Sequence, residues 1–215
     1  MPSDRIVFRS LGKSIKPAVP MRVQVLDKMG TVGIPQNNPP PPQNEKTQLP
    51  PMEAVCDAHR VYVNYKPEYM ELRDRGFGDL KKSKLLLTPY ESFYLLEKQR
   101  IIVHSKKTGK ELTLRDLVQE FSVGRPVIWI KYLVYRDLRD RGYIVRESSS
   151  MFDFDIYGKG PLRRLISIVY EGGEASLRKL GKLLAYSNEE RKELILAVVD
   201  RRTDIVYYTL SSLRV

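Results

Sequence analysis

The residues that could do chemistry in this 215-residue chain lie in its C-terminal half. Tyr157 ends an apolar, alternating stretch and is followed at once by two glycines and Lys159. Lys192 comes just before the apolar stretch 194–199. Tyrosine and lysine are both side chains that enzymes use to transfer protons or to stabilise developing charge. The loop after Tyr157 is therefore the first candidate for a functional site.

A long helix and several strands must position this loop. Pro126 can open the helix and Gly142 can end it, because proline suits a first turn and glycine suits the residue after a last turn. Its predicted buried stripe has helical spacing and consists of Val127, Ile130, Val134 and Leu138. Its arginines alternate with aspartates, which predicts a salt-bridged outer face formed by Arg136, Arg139 and Arg141 with Asp137 and Asp140.

The strands after this helix are predicted at residues 143–146, 151–157, 165–170, 194–199 and 205–210. The stretch 194–199 is apolar throughout, so it must be a central, buried strand. A helix capped by Ser176 comes before it, with Leu177, Leu180, Leu183 and Leu184 facing inward. In the last strand Val206 and Tyr208 share one face, and Tyr207 lies on the other. We predict an α/β domain with a central mixed sheet over residues 124–215.

Residues 56–123 predict a small N-terminal α+β domain, so the fold class of the chain is α+β. Two capping boxes, 88–91 and 113–116, open helices in this domain, and Gly76 suits the end of another. Residues 1–55 hold ten of the fourteen prolines and form a proline-rich N-terminal extension. Within it, residues 5–9 and 21–26 alternate like strands. The extension is either weakly attached or contributes edge strands to the sheet of the next domain.

Composition narrows the possible partners and sites. The formal net charge of +11 favours a polyanionic partner such as nucleic acid. The single cysteine, Cys56, excludes an intrachain disulfide and a cysteine-based metal site. Neither a secretory leader nor an apolar run of about 20 residues is present, so we expect no membrane contact and a cytoplasmic location. The pair His104 and Ser105 has no acid nearby in sequence and is interpreted as ordinary solvated side chains.

Four separated motifs of the C-terminal half resemble the tRNA-splicing endonucleases of archaea. They are YLVYRDLRDRGYIV (132–145), FDIY (154–157), LAVVD (196–200) and IVYY (205–208), and they occur in the order of that family. Residues 72–78 and 85–97 look like the N-terminal domain of the same family. The resemblance covers roughly residues 56–215 and implies a nuclease-like fold for the C-terminal domain.

The resemblance implies excision of introns from precursor tRNA without a metal or any other cofactor. The family uses the 2′-hydroxyl of the substrate as nucleophile and leaves a 2′,3′-cyclic phosphate and a 5′-hydroxyl. Such a reaction requires a base, an acid for the departing oxygen, and a cation for the charge that grows on the phosphorus. The family assigns these roles to a tyrosine, a histidine and a lysine.

Residue by residue, Tyr157 matches the family tyrosine and Lys192 matches the lysine. The family histidine is expected near Pro161, but the loop offers none, and arginine does not release a proton. We therefore interpret the chain as the non-catalytic, structural subunit of a heteromeric enzyme, with a vestigial site. Its expected partners are a catalytic subunit, in an assembly of two plus two, and precursor tRNA. The basic residues Lys159, Arg163 and Arg164 are predicted to contact RNA.

The resemblance also implies two surfaces for subunit assembly. In the family the final strands pair subunits through their apolar face, and an acidic loop enters a basic cleft of another subunit. The interface residues predicted here are Asp200, Asp204, Val206, Tyr207, Tyr208 and Leu210.

Several alternatives stay open at this level. Tyr157 could be packed at an interface or could still touch RNA, and Lys192 could be a surface lysine. The chain could be a competent subunit that uses Tyr157 and Lys192 with an acid that is not recognised. It could also be a metal-dependent nuclease, with Asp153 or Asp155 and Glu190 before Lys192, or a plain RNA-binding protein.

Overall fold

The computed structural model describes residues 5–10, 50–64, 66–125, 127–157, 163–171 and 177–213. These residues form twelve strands and five α-helices. The strands are β1 (Arg5–Ser10), β2 (Met52–Asp57), β3 (Arg60–Asn64), β4 (Asp79–Lys81), β5 (Lys84–Leu87), β6 (Ile101–Ser105), β7 (Glu111–Leu112), β8 (Ile144–Glu147), β9 (Phe154–Tyr157), β10 (Arg164–Tyr170), β11 (Glu193–Val199) and β12 (Ile205–Leu213). The helices are α1 (Met70–Asp74), α2 (Pro89–Glu97), α3 (Leu114–Ser122), α4 (Ile128–Asp140) and α5 (Leu177–Glu189).

The N-terminal sheet has the strand order β4-β5-β3-β2-β6-β7. Strands β2 and β6 are parallel and the other pairs are antiparallel. Successive side chains of a strand point to opposite faces of the sheet, so every second residue of β2 and β3 faces the core. Ala54, Val61 and Val63 are among these buried residues. Both predicted capping boxes are present. The hydroxyl groups of Thr88 and Thr113 each accept from the backbone amide of the third helical residue, and their own backbone amides donate to the carboxylate of that residue.

The C-terminal sheet has the order β1-β12-β11-β10-β9-β8, with β10 and β11 parallel and the other pairs antiparallel. Strand β11 is central and largely buried, as its apolar sequence predicts. Helix α5 packs on one face through Leu180, Leu183 and Leu184. Two mixed sheets with five helices confirm the predicted α+β fold class, with a mixed sheet in the C-terminal half.

Helix α4 joins the two halves of the molecule, since it contacts α2 and α3 on one side and β8 and β10 on the other. One continuous core therefore runs from β2 to β12. Val134 and Leu138 of the predicted stripe are buried, whereas Val127 and Ile130 are half-buried. The buried face also takes in three tyrosine and leucine side chains that the stripe omitted, Tyr132, Leu133 and Tyr135. It is wider because α4 is covered from two sides.

Arg139 corrects the prediction of a solvated outer face on α4. Its side chain is buried, and its guanidinium donates to the carbonyl oxygens of Tyr143 (3.2 Å) and Arg75 (3.0 Å). The guanidinium carbon lies 3.7 Å from the ring centroid of Phe77. Arg139 thus fastens α4 to the loop after α1. Arg141 forms the expected ion pair with Asp137, whereas Arg136 pairs with Glu97 of α2.

Two glycines end helices as predicted, and both adopt the left-handed backbone that only glycine reaches without strain. Gly76 has φ 76° after α1, and Gly142 has φ 86° after α4. At each end the next residue donates back into the helix, Phe77 to Leu72 and Tyr143 to Leu138. This is the Schellman arrangement, which satisfies the last carbonyl groups of a helix.

The N-terminal extension contributes more than a tether. Strand β2 begins at Met52, ahead of the expected boundary at 56, because residues 52, 54 and 56 alternate into the core. Strand β1 pairs with β12 of the C-terminal sheet. The two arrangements expected from the sequence were weak attachment and pairing with the sheet of the N-terminal α+β domain. The strand expected at 21–26 lies outside the described residues. Within the described part of the chain, no helix is long and apolar enough to cross a membrane.

Candidate functional site

Tyr157 and Lys192 lie in one row at the same end of the C-terminal sheet. Strand β9 pairs antiparallel with β10, so that Ile156 faces Arg164, and β10 pairs parallel with β11, so that Arg164 faces Glu193. One step further along, the row reads Tyr157, Arg163, Lys192. Because neighbouring strands are about 4.8 Å apart, the backbones of Tyr157 and Lys192 are roughly 10 Å from each other.

Arg163 fills the middle of this row. Its guanidinium carbon lies 5.6 Å from the ring centroid of Tyr157, which is a cation–π contact. Tyr157 is 37% exposed, and Arg163 is exposed as well. The two side chains therefore present a cation and a hydroxyl to solvent on one face of the sheet.

The end of α5 holds the backbone of Lys192. Its amide donates to the carbonyl of Ser187 at 2.8 Å, and Arg191 donates to Asn188 at 3.1 Å with a left-handed φ of 53°. This is again a Schellman arrangement. The Lys192 ammonium lies 3.2 Å from Glu190 and is partly buried. The backbone of Lys192 is thus fixed by the end of the helix, and its ammonium group lies beside a carboxylate.

Arg164 is in the adjacent row and is already paired. Its Nε lies 2.7 Å from Glu193 Oε2, across the β10–β11 pair. The other Glu193 oxygen accepts from Thr209 at 3.5 Å. Most of the Arg164 charge is therefore compensated within the chain, whereas Arg163 has no carboxylate partner among the described residues. Lys159 and the position of the missing histidine, Pro161, lie outside the described residues.

Both histidines of the sequence lie far from this row, in the N-terminal half. His104 on β6 is 2.7 Å from Glu53, and His59 is 4.0 Å from Glu120 beside the ring of Phe121. Imidazole is the side chain that most readily gives and takes a proton near neutral pH. The row can therefore hold an anion such as a phosphate, but it has no imidazole to act as the acid.

The acidic turn between β11 and β12 uses one of its two aspartates internally. Asp200 Oδ1 accepts from the backbone amides of Arg202 (2.8 Å) and Asp204 (2.9 Å), which is ordinary turn chemistry. Asp204 is exposed. Arg201 lies 3.3 Å from Glu171, so its positive charge is offset outside the turn.

The last strand divides the predicted interface residues between core and surface. Tyr207 is fully buried, and its hydroxyl donates to Asp137 Oδ2 on α4 at 2.7 Å. Leu210 is buried against α5. Both side chains are thus occupied within their own chain, which corrects their assignment to a subunit interface. Val206 and Tyr208 are half-buried and stay accessible.

The carboxylates that could have bound a metal ion each form hydrogen bonds or ion pairs within the chain. Asp153 Oδ1 lies 2.7 Å from the Lys131 ammonium, and its other oxygen accepts from the backbone of Ile168. Asp155 accepts from Ser148, and Glu190 pairs with Lys192. No group of three or more histidine, cysteine or acidic side chains among the described residues is arranged to hold a metal ion.

A basic cleft that sequence reasoning missed lies where the two halves meet. It has a volume of about 440 Å³, and its charged lining consists of His59, Arg60, Lys81 and Arg125 with one acid, Glu147. Arg60, Lys81 and Arg125 form no ion pair with any described residue. The four basic residues are up to 66 positions apart in sequence, so no local pattern could have brought them together.

Comparison with known proteins covers both halves of the chain. The family model described as the tRNA intron endonuclease N-terminal domain matches residues 52–118, and that of the catalytic C-terminal domain matches residues 128–207. A tRNA-splicing endonuclease of Pyrococcus horikoshii is 35% identical over 162 residues, which are 74% of this chain and 94% of that protein. That of Pyrococcus furiosus is 35% identical over 161 residues, with 73% and 94% covered.

A longer relative shows a different coverage. The tRNA-splicing endonuclease of Methanococcoides burtonii is 36% identical over 163 residues, which are 73% of this chain but only 45% of that protein. The chain therefore spans less than half the length of this relative.

Proposed function

Because the chain belongs to the tRNA intron endonuclease family, we propose that it is the non-catalytic subunit of an enzyme that excises introns from precursor tRNA. The observation that carries the proposal is the row Tyr157, Arg163, Lys192, which keeps two of three family groups and has no histidine between them. The expected assembly contains two such chains and two catalytic subunits, without a cofactor.

The row supports RNA contact without cleavage. Lys192 and Arg163 supply positive charge for a phosphate, and Tyr157 supplies a hydroxyl and an aromatic face. Loss of the acid removes the group that protonates the leaving 5′ oxygen, and such a group is typically worth about 10²–10⁴-fold in rate. The chain would therefore position the substrate for a partner that carries the complete set.

The basic cleft supports the heteromeric part of the proposal. An acidic turn of a partner subunit, of the kind formed here by residues 200–204, fits a cleft in which Arg60, Lys81 and Arg125 have no ion-pair partner among the described residues. Charge reversal with Arg60→Glu and Lys81→Glu should weaken assembly with the catalytic subunit. The control, Lys107→Glu with Lys110→Glu, reverses the same charge on the exposed turn after β6 and should leave assembly intact. Equal loss for both pairs would contradict this role of the cleft.

The central test is cleavage by the chain alone and in a mixture. The purified chain should fail to cut precursor tRNA, and adding a family member that bears a histidine in the matching loop should give 2′,3′-cyclic phosphate and 5′-hydroxyl ends. Robust cleavage by the chain alone would contradict the proposal and favour a competent subunit with a different acid. Loss of cleavage on adding EDTA to the mixture would favour the metal-dependent alternative.

A further inference from the structure

The N-terminal sheet has one face that does not contribute to the core. Every second residue of β3 and β5 is buried, which applies to Val61, Val63, Leu85 and Leu87. The residues that alternate with these lie on the opposite face, called here the outer face, and are half-buried or exposed. A row of three half-buried side chains crosses it from β5 to β2 and consists of Leu86, Tyr62 and Val55.

Tyr62 is an aromatic platform with uncompensated positive charge beside it. The Lys84 ammonium lies 4.1 Å from the centroid of its ring, which is a cation–π contact. Lys82, in the turn between β4 and β5, is exposed. Neither lysine forms an ion pair with a described residue. The acids on the neighbouring strand β2 do have cationic partners, Glu53 with His104 and Asp57 with Lys106.

The outer face adjoins the face of the C-terminal sheet that carries Tyr157. Asp79 lies on the outer face because it is opposite Leu86, and its carboxylate is 3.3 Å from Arg146 of β8. Arg146 is two residues from Ile144, which is opposite Tyr157, so Arg146 and Tyr157 project from the same face. The ion pair therefore joins the outer face to the face of the row Tyr157, Arg163, Lys192.

We propose that the outer face is a second RNA-binding surface, where an unpaired base of the precursor tRNA stacks on Tyr62 and Lys82 and Lys84 contact the adjoining phosphates. This inference rests on the proposed function, because it takes precursor tRNA as the ligand. The two lysines and the net charge of +11 favour a polyanion. Stacking of a base is stronger than an exposed cation–π contact, so a base can displace the Lys84 ammonium and free it for a phosphate.

Fluorescence anisotropy with a labelled single-stranded oligouridylate tests the stacking. The full chain carries Arg163→Ala and Lys192→Ala, so that the row makes no contribution. In this background Tyr62→Ala should weaken binding about 10-fold, whereas Tyr62→Phe should keep the affinity because it keeps the ring. The matched control is Tyr170→Ala, which removes an exposed tyrosine from β10 and should change nothing.

The salt dependence of the same binding tests the phosphate contacts. Lys84→Gln should reduce the slope of log K against log salt by about 0.7, the value for one phosphate contact on a single strand. The control is Lys110→Gln, because this lysine lies beside β7 at the opposite edge of the sheet. Neither Tyr62 nor Lys84 lines the basic cleft, so both variants should still assemble with the catalytic subunit.

Unchanged RNA affinity of Tyr62→Ala would overturn the proposal. An equal loss for double-stranded RNA of the same length would also overturn it, because the bases of a duplex are not free to stack on a side chain. If Tyr62→Ala weakened assembly and left RNA binding intact, the outer face would be a protein contact and the proposal would be wrong. If Tyr62→Ala did not fold, the salt slope of Lys84→Gln would decide.

The proposed function has a separate readout. Failure of the mixture with a catalytic subunit to cut precursor tRNA would contradict the proposed function, whereas the RNA affinity of the chain alone tests only the outer face.

Discussion

Tyr157, Arg163 and Lys192 form a row of one aromatic hydroxyl and two cations at the end of the C-terminal sheet. Their chemistry suits the binding of a phosphate, and their spacing is set by the pairing of β9, β10 and β11. The two neighbouring candidates differ in charge compensation, since Arg164 is held by Glu193 and Arg163 is exposed over a ring. These three residues are therefore suited to bind a phosphate, but the row lacks a histidine that could act as the acid in cleavage.

Tyr157→Phe tests whether this row takes part in cleavage. In the assembled enzyme the substitution should leave the cleavage rate nearly unchanged, because the phenyl ring keeps the contact with Arg163 and the hydroxyl does no chemistry. The measurement is single-turnover cleavage of precursor tRNA. The control is the same change at the matching tyrosine of the catalytic subunit, which should slow cleavage about 100-fold or more. A similar loss from Tyr157→Phe would show that this chain is catalytic.

Strand β12 illustrates how one element serves both the core and the surface. Tyr207 points to α4 and bonds Asp137, which also holds Arg141 through two hydrogen bonds. Tyr208 points to the opposite face, is half-buried and packs at the margin of the α5 cluster. Adjacent tyrosines of the same strand therefore have different neighbours, and only one of them is accessible to a partner subunit.

Removing the two hydroxyl groups should separate these roles. Tyr207→Phe should lower the free energy of unfolding by about 1.5–3 kcal/mol, because it deletes a partly buried hydrogen bond to a carboxylate. Assembly with the catalytic subunit should persist. Tyr208→Phe is the matched control and should change stability by less than about 0.5 kcal/mol. Urea titration measures the difference. Equal effects of the two changes would contradict the assignment of Tyr207 to the core.

The two halves of the molecule meet at an interface that contains a buried carboxylate, Glu91. Glu91 of α2 is 1% exposed and accepts from the backbone amides of Thr88 (2.8 Å) and Gly78 (3.1 Å). Arg146 of β8 reaches it from the other half at 4.0 Å. Burial raises the pKa of Glu91 above its ordinary value of 4.5, and the hydrogen bonds and Arg146 oppose the rise.

This raised pKa predicts a pH dependence of stability. The unfolded chain loses the Glu91 proton near the ordinary value of 4.5, and the folded chain loses it at a higher pH. The contribution of this proton to stability is therefore complete below the unfolded pKa and is lost as pH rises through the folded pKa. Glu91→Gln should abolish this part of the decline.

Unfolding free energies of both proteins between about pH 4 and pH 8 provide the measurement. Exposed Glu111→Gln is the control and should leave the pH dependence unchanged. Parallel curves for the native chain and Glu91→Gln would contradict the raised pKa of Glu91.

Much of the local structure follows from short stretches of sequence. The capping boxes at Thr88 and Thr113 and the helix ends at Gly76 and Gly142 depend on hydrogen bonds between residues at most six positions apart. Strand β11 follows from an unbroken apolar run. The missing histidine is likewise a fact of sequence, and with the ordered motifs it carries the hypothesis of a structural subunit.

Tertiary structure alone decided which of these residues meet. The sequence showed that Tyr207 and Tyr208 lie on opposite faces, but not which face α4 covers. It could not show that Arg139 is buried, that Arg164 is paired, or that the basic residues of the cleft converge. It also could not place β1 beside β12, about 200 positions away in the chain. Local patterns specify backbone conformation, whereas burial and pairing depend on the packing of distant elements.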